Sequence, residues 1–324
     1  MATSVHEHGA QAPARAVAGV RFAVVVTSYN YRDYVIEAVE SALAQSRRPA
    51  QVIVVDDGST DGSGALLLGR YADDPRVDLV CTGNGGQLAA FQVGVARVDA
   101  DVVCFMDSDD RWKPDYLERI GAFYDARPEV DFVFTDMRTF GQRDDTIRFH
   151  EREVDLGYTA ISTYALSAWY GVPTSAISMR ADWARKAVDL PDAFRAVWRT
   201  SPDNCLVYGA SVLGAHKYYL PTGSVDYRIH GNNAWSSNRS ARQAYKNLLH
   251  TRALIAHYAA VAGIDDASCS IEMCKLEYRT KPNPPWFETW RYVRLVMVRR
   301  VWPPWRKWER ALSVFTRGWR SRRA

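Results

Sequence analysis

Val102-Val103-Cys104-Phe105-Met106-Asp107-Ser108-Asp109-Asp110 runs from five apolar residues straight into four polar ones. An apolar run that short and that sharply ended reads as a strand buried on both faces, with the polar cluster at its carboxyl end. The same pattern occurs three more times: Val24-Val25-Val26 into Thr27-Ser28-Tyr29-Asn30, Val52-Ile53-Val54-Val55 into Asp56-Asp57-Gly58-Ser59, and Val77-Asp78-Leu79-Val80 into Thr82-Gly83-Asn84-Gly85-Gly86. In an open, mostly parallel sheet, ligands bind just beyond the carboxyl ends of the strands, so the four clusters converge on one crevice. The pattern predicts a nucleotide-binding enzyme.

Between these strands the apolar spacing becomes helical. Val35, Ala38, Val39, Ala42 and Leu43 follow the i, i+3, i+4, i+7, i+8 stripe, and Leu88, Phe91, Val95 and Val98 do likewise. Strands near 22–27, 51–56, 77–81 and 101–106 therefore alternate with helices near 32–45, 60–72, 86–98 and 114–127. This predicts an α/β fold with right-handed crossovers and a mostly parallel sheet flanked by helices. Beyond residue 128 the alternation weakens: strands are expected at 131–135 and 174–179, a polar loop at 141–155, helices at 180–188, 203–214 and 239–262, and a hairpin across 217–230.

The chain has 324 residues, 47% of them hydrophobic, enough for a large core. Five cysteines, an odd number without metal-ligand spacing, point to reduced thiols and a cytoplasmic location. Residues 1–20 lack the apolar run of a signal peptide and read as a disordered lead-in, and no stretch reaches the roughly 18 apolar residues of a membrane span. The net charge of +4 conceals an asymmetry: residues 281–324 carry 12 Lys or Arg against Glu288 and Glu309, a basic tail on an acidic body.

Asp107 and Asp109, with Asp110 beside them, would repel one another and any phosphate unless a cation sat between them. Mg2+ or Mn2+ held by one or two carboxylates and substrate phosphate oxygens resolves the conflict. Asp109 is expected to bind the ion directly and Asp107 through the ribose or a bridging water; the alternative is that both simply cap the Pro114 helix. Ser59 and Asp61 suit a helix start, whereas Asp56-Asp57 before Gly58 includes a carboxylate able to accept from a nucleobase N–H. Gly83-Asn84-Gly85-Gly86-Gln87 opens a helix whose free N–H groups would suit an anion, or it is a tight turn alone.

In this order and spacing, Thr27-Ser28-Tyr29-Asn30, Asp56-Asp57-Gly58-Ser59-Thr60-Asp61, Asn84-Gly85-Gly86-Gln87 and Asp107-Ser108-Asp109-Asp110 resemble the nucleotide-sugar half of a family 2 glycosyltransferase with the Rossmann-like GT-A fold. The resemblance covers residues 20–235. It implies that Thr27, Tyr29, Asn30, Asn84, Gly86, Gln87, Asp107 and Ser108 surround the nucleotide-sugar, that Asp57 contacts the base, and that Asp109 holds the metal. Asp203, in Pro202-Asp203-Asn204-Cys205-Leu206, resembles the acceptor-side carboxylate, which would act as general base. Tyr227-Arg228-Ile229-His230-Gly231-Asn232-Asn233 resembles the closing Tyr-Arg-x-His segment, implying Arg228 at the diphosphate and His230 at the metal. Two departures stand out. Many relatives carry Ala-Arg-Asn-x-x-Gly where this chain reads Ala90-Phe91-Gln92-Val93-Gly94, so no arginine from that helix reaches phosphate, and Pro202 replaces a frequent acidic residue.

Trp286, Trp290, Val293, Met297 and Val301, then Trp305, Trp308, Leu312, Phe315 and Trp319, define two amphipathic helices with Arg and Lys on their other faces. Such helices suit a membrane interface with anionic lipid; the alternative is that the Trp stripes pack on the body. Nothing resembling a groove-reading element supports a nucleic-acid partner. The expected organisation is a lead-in (1–20), a nucleotide-sugar half (21–128), an acceptor half (129–235), a helical extension (236–280) and a basic tail (281–324). The expected function is metal-dependent, inverting transfer of a sugar from a nucleoside diphosphate donor, uridine type by analogy, to a hydroxyl of a lipid-linked glycan in polysaccharide synthesis, at the cytoplasmic membrane face. The rivals are a sugar-nucleotide-binding scaffold and a nucleotidyltransferase, although the latter would want a glycine-rich basic loop where Ser28-Tyr29-Asn30-Tyr31 stands.

Overall fold

The computed structural model describes residues 19–231, 240–298 and 304–321. Most of the lead-in, together with Asn232, Asn233 and Val301, lies outside the described residues. The first half alternates as the apolar spacing requires: β1 (Phe22–Ser28), α1 (Val35–Leu43), β2 (Gln51–Asp56), α2 (Ser63–Tyr71), β3 (Val77–Cys81), α3 (Gln87–Ala96), β4 (Val102–Asp107), β5 (Arg111–Trp112) and α4 (Tyr116–Ala126). All seven residues of β1 are buried, because helices cover both faces of the sheet. Each fully buried Val, such as Val24, Val25 or Val54, contributes about 1.5–3 kcal/mol relative to exposure.

The second half adds β6 (Phe132–Phe134), β7 (Met137–Gly141), β8 (Thr146–Ile147), β9 (Val154–Gly157), α5 (Ala160–Leu166), β10 (Ile177–Arg180), α6 (Ala181–Val188), α7 (Asp192–Val197), α8 (Asp203–Leu213), β11 (Lys217–Tyr219) and β12 (Val225–Ile229). Eight strands form the main sheet in the order β3-β2-β1-β4-β10-β6-β11-β9. Only β10 and β9 oppose the common direction. The chain leaves β1 toward β2 and β3, then crosses back to put β4 on the other side of β1, with Thr27 paired to Asp107. That reversal is the topological switch point, where an open α/β sheet parts its loops and admits a ligand.

Two expectations for the second half fail. The segment 217–230 is no hairpin: β11 joins the main sheet beside β6 and β9, whereas β12 joins a second sheet of order β5-β12-β7-β8. The span 141–155 is not a loop throughout, since it contains β8 and the start of β9. Both errors have one cause: two- to four-residue strands are defined by partners far away in sequence, not by local alternation.

After β12 come α9 (Ala241–Ala262), α10 (Ile271–Arg279), α11 (Trp286–Val298) and α12 (Pro304–Arg320). Ile161 of α5, Cys274 and Tyr278 of α10, Tyr292 and Leu295 of α11 and Val314 of α12 form a buried cluster, so the basic helices are packed together and onto the body. Trp290, Trp305, Trp308 and Leu312 nevertheless stay 55–66% exposed. No helix among the described residues is long and apolar enough to cross a membrane.

Candidate active site

A cavity of about 780 Å³ opens at the switch point. Its walls come from the loops after β1, β2, β3 and β4, the segment before α8, and the end of β12. Thr27, Tyr29, Asn30, Asp57, Asn84, Gly86, Gln87, Asp107, Ser108, Asp109, Asp203 and His230 all line it, so twelve of the thirteen expected site residues are brought together. Arg228 is not among its lining residues. Its Nη2 donates to Glu37 Oε2 and its Nε to the carbonyl of Asp109, with the guanidinium stacked over Tyr34 and Phe140. The arginine clamps the acidic loop from behind.

The acidic floor is built by the register of the second sheet. β5 follows Asp110 directly and pairs antiparallel with β12, matching Trp112 with Val225 and Arg111 with Asp226. Continuing that pairing brings the end of β12 over the acidic loop: the Arg228 N–H donates to Asp110 Oδ1 at 2.8 Å, and His230 Nε2 lies 2.9 Å from Asp109 Oδ2. The His230 ring is stacked on Tyr34, with centroids 5.3 Å apart. Asp110 also accepts from Ser175 Oγ at 2.6 Å and does not line the cavity, which makes it a brace. Asp107 accepts from Gln87 Nε2.

Carboxylate oxygens of Asp107, Asp109 and Asp110 lie within 4.8 Å of one another. Burial first, then the neighbouring carboxylates, push Asp107 and Asp110 well above the ordinary carboxylate range, and Asp203 contributes to the rise at Asp107. Tyr31 is pushed up by burial and by the same three acids, so its phenol stays protonated beside Asp109. Several hard oxygen donors with one imidazole, crowded until their charges oppose each other, fit a divalent cation such as Mg2+ or Mn2+. Asp109 and His230 would hold it, with Asp107 alongside.

The glycine turn differs from the expected anion cradle. Gly85 and Gly86 N–H donate to the two oxygens of Asp57 at 2.7 and 2.8 Å, and Gln87 N–H donates to the carbonyl of Arg199 at 2.9 Å. Those three amides are already committed within the chain, and the Asp57 carboxylate is occupied in holding them. Gly86 has φ +89°, and a Cβ there would lie 2.8 Å from Arg199 Cα. The Asn30 side chain is likewise engaged, its Oδ1 accepting from Thr60 N–H at 2.7 Å.

Arg199 is the residue sequence reading missed. It lines the cavity, is exposed, and donates through Nη2 to Asn84 Oδ1. It thereby brings a guanidinium to the side of the cavity that lacks the helix arginine. Nothing around Trp198-Arg199-Thr200-Ser201 carries a local signal; the loop reaches the site only by docking on the α3 N-terminus. Tyr31 and Tyr34 had a weak signal, adjacency to Thr27-Ser28-Tyr29-Asn30.

Asp203, at the start of α8, lines the same cavity, and its charge reaches Asp107. Burial raises its carboxyl to about 6, against hydrogen bonds from Asn204 that lower it. A half-buried carboxylate that ionises near neutrality can take a proton from a hydroxyl bound in the same cavity.

The description Glycosyl transferase family 2 matches residues 23–185. An uncharacterized glycosyltransferase of Nostoc sp. is 28% identical over 307 residues, covering 90% of this chain and 92% of that one. TuaG of Bacillus subtilis, a putative teichuronic acid biosynthesis glycosyltransferase, is 40% identical over 120 residues, 37% of this chain and 47% of TuaG. The crystal structure of S. aureus TarS 1-349 in complex with UDP-GlcNAc matches with a TM-score of 0.57 at 16% identity, over 85% of this chain and 79% of that one, a likeness in GT-A fold. Since the matched family segment takes in half of the chain, β1 to β4 and the acidic loop included, the protein is a glycosyltransferase and belongs to glycosyl transferase family 2.

Proposed function

We propose that the protein is a metal-dependent, inverting glycosyltransferase that moves a sugar from a nucleoside diphosphate donor of uridine type to a hydroxyl of a lipid-linked saccharide in cell-surface polysaccharide synthesis. One observation carries this reading: a cation-seeking cluster at the end of β4 and a carboxylate with a raised pKa at Asp203 face one cavity. The named relatives support it, since TarS binds UDP-GlcNAc and TuaG is assigned to teichuronic acid synthesis.

In this reading residues 21–128 hold the donor and residues 129–235 the acceptor. Thr27, Tyr29 and Ser108 line the nucleoside side, and Arg199 faces the diphosphate from the side of Asn84. Asp109 and His230 would hold the divalent ion, which would supply positive charge beside the diphosphate. Asp203 accepts the acceptor hydroxyl proton as the oxygen bonds to the anomeric carbon and the bond from that carbon to phosphate oxygen breaks. Attack from the face opposite the leaving group inverts the configuration. The exposed tryptophans and basic residues of 281–324 rest on an anionic membrane at its cytoplasmic face, beside the acceptor's lipid.

Sugar release from UDP-sugars with Mn2+ tests the reading. Folded Asp109→Asn and Asp203→Asn proteins should lose at least about a hundredfold in turnover, the lower end of general-base contributions. Normal rates in both would falsify the assignment, and donor binding without any sugar release would leave a scaffold.

A further inference from the structure

A second cavity, of about 460 Å³, lies between α10 and α12 in the C-terminal bundle. Lys275 and Arg279 line it from α10 and Arg317 and Arg320 from α12, with Ser313 and Ser321 also on the wall, the Ser321 hydroxyl donating to the Gly318 carbonyl. Among the described residues no carboxylate lines it. Four cations gathered without a lining counter-charge are mutually unfavourable. The Lys275 pKa is lowered chiefly by burial, then by Arg310, which lies outside the lining, and by Arg279, with Glu309 and Glu272 opposing.

Helix-end electrostatics account for part of the pattern. Arg279 and Arg320 sit in the last turns of their helices, where a cation gains about 0.3–1 kcal/mol, and Arg317 Nη2 donates to the Arg279 carbonyl at 3.2 Å. That accounts for Arg279, Arg317 and Arg320, the last two both in the final turn of α12. It does not explain Lys275 a turn earlier, or why all four side chains border one hollow.

The position on α12 indicates what fills it. Residues three and four apart are neighbours on a helix, so Leu312, Thr316, Trp319 and Arg320 form a continuous patch. Thr316 and Arg320 belong to the cavity, while Leu312 and Trp319 are 62% and 43% exposed. An anionic group in the hollow would therefore have an apolar face immediately beside it, the arrangement of a lipid headgroup and its chains.

We propose that the cavity between α10 and α12 binds the phosphate headgroup of an anionic membrane lipid, with the acyl chains against the neighbouring Trp and Leu face. The proposal rests on the interfacial reading of the tail and adds to it a defined headgroup site. Flotation of the full-length protein on phosphatidylcholine vesicles, with and without phosphatidylglycerol, tests it. With Arg279→Gln and Arg317→Gln combined, binding to the phosphatidylglycerol vesicles should fall at least about tenfold, since each basic residue near an anionic surface contributes about 1 kcal/mol. The charge-matched pair Arg70→Gln and Arg97→Gln, exposed and elsewhere in the fold, should change it less than about threefold. Equal losses in the two pairs would overturn the site yet leave the interfacial tail standing; a wild-type protein that never floats overturns both. A rise in melting temperature with inorganic phosphate, abolished by Arg279→Gln and Arg317→Gln in a protein indifferent to vesicles, would assign the hollow to soluble phosphate and overturn the lipid source. Circular dichroism confirms that each variant is folded.

Discussion

Asp203 is held where ionisation is costly, and that cost makes it useful. Its folded-state pKa of about 6 exceeds the ordinary 3.8, so the native state binds the proton more tightly than the unfolded chain does. The stabilisation is complete below the unfolded value and is lost as pH rises through about 6. At pH 7.5 the ionised carboxylate therefore costs stability, about 2 kcal/mol after allowance for its partial exposure. Asp203→Asn is expected to raise the melting temperature by a few degrees at pH 7.5 while abolishing transfer, and the gain should disappear below pH 4. With Asp203 in the proposed role of base, the wild-type rate should fall as pH drops through about 6, where its carboxyl becomes protonated. A variant that is inactive yet gains no more stability over wild type at pH 7.5 than at pH 4 would refute the burial argument.

At the scale of elements, the turn between β3 and α3 depends on two contacts from elsewhere, the Asp57 carboxylate and the Arg199 carbonyl. Gly86→Ala must place a Cβ against Arg199 and hold φ at +89°, at a cost of about 1–3 kcal/mol. It should displace the Arg199 loop and raise KM for the donor. Arg199→Ala leaves the turn's backbone bonds intact and should raise donor KM several-fold with an unchanged melting temperature. Steady-state kinetics beside thermal melts separate the two, and an unchanged KM for Arg199→Ala would remove that residue from the donor site. The contrast explains what was legible. Strand-end clusters such as Thr27-Ser28 and Asp107-Ser108 declare themselves because an apolar run stops at the ligand edge of a sheet, a purely local signal. His230 and Asp203 were found through motif resemblance. Arg199 has neither advantage, and Arg228 had the resemblance but a different place, because the register between β5 and β12 aims its side chain at Glu37. The expected anion cradle failed similarly: glycine spacing reveals a turn and its N–H groups, not that Asp57, 28 residues earlier, already occupies them.

At the scale of the whole molecule, the C-terminal helices are tied to the body by buried charge. Glu277 of α10 accepts from Ile161 and Ser162 N–H at the start of α5, at 2.6 and 2.9 Å, standing in for a cap that Thr159 does not provide. Glu288 of α11, fully buried, accepts from Tyr170 Oη at 2.7 Å and from Arg291 at 2.6 Å, and pairs with the fully buried Lys281 at 3.4 Å. Breaking one side of such a pair strands the other charge, which typically costs 3–5 kcal/mol. Glu288→Ala should accordingly lower unfolding free energy by about that amount, and Glu288→Gln, which keeps one acceptor oxygen for Tyr170 but turns an amide NH2 toward Arg291, by somewhat less. Removal of residues 281–324 goes further, taking the buried Lys281–Glu288 pair and, from the cluster that covers Ile161 and Tyr278, Tyr292, Leu295, Val296 and Val314. The truncated chain should melt many degrees lower and expose α5 to protease, so its failure to float on vesicles would say nothing about lipid. Point variants on the outer face, such as Trp305→Ser with Trp308→Ser at 63% and 66% exposure, remove side chains that lie mostly in solvent. These should leave the melting temperature within about a degree, since exposed sites change stability by less than about 0.5 kcal/mol, and still weaken vesicle binding. A large fall in melting temperature for Trp305→Ser with Trp308→Ser would show that this face is part of the protein's own packing.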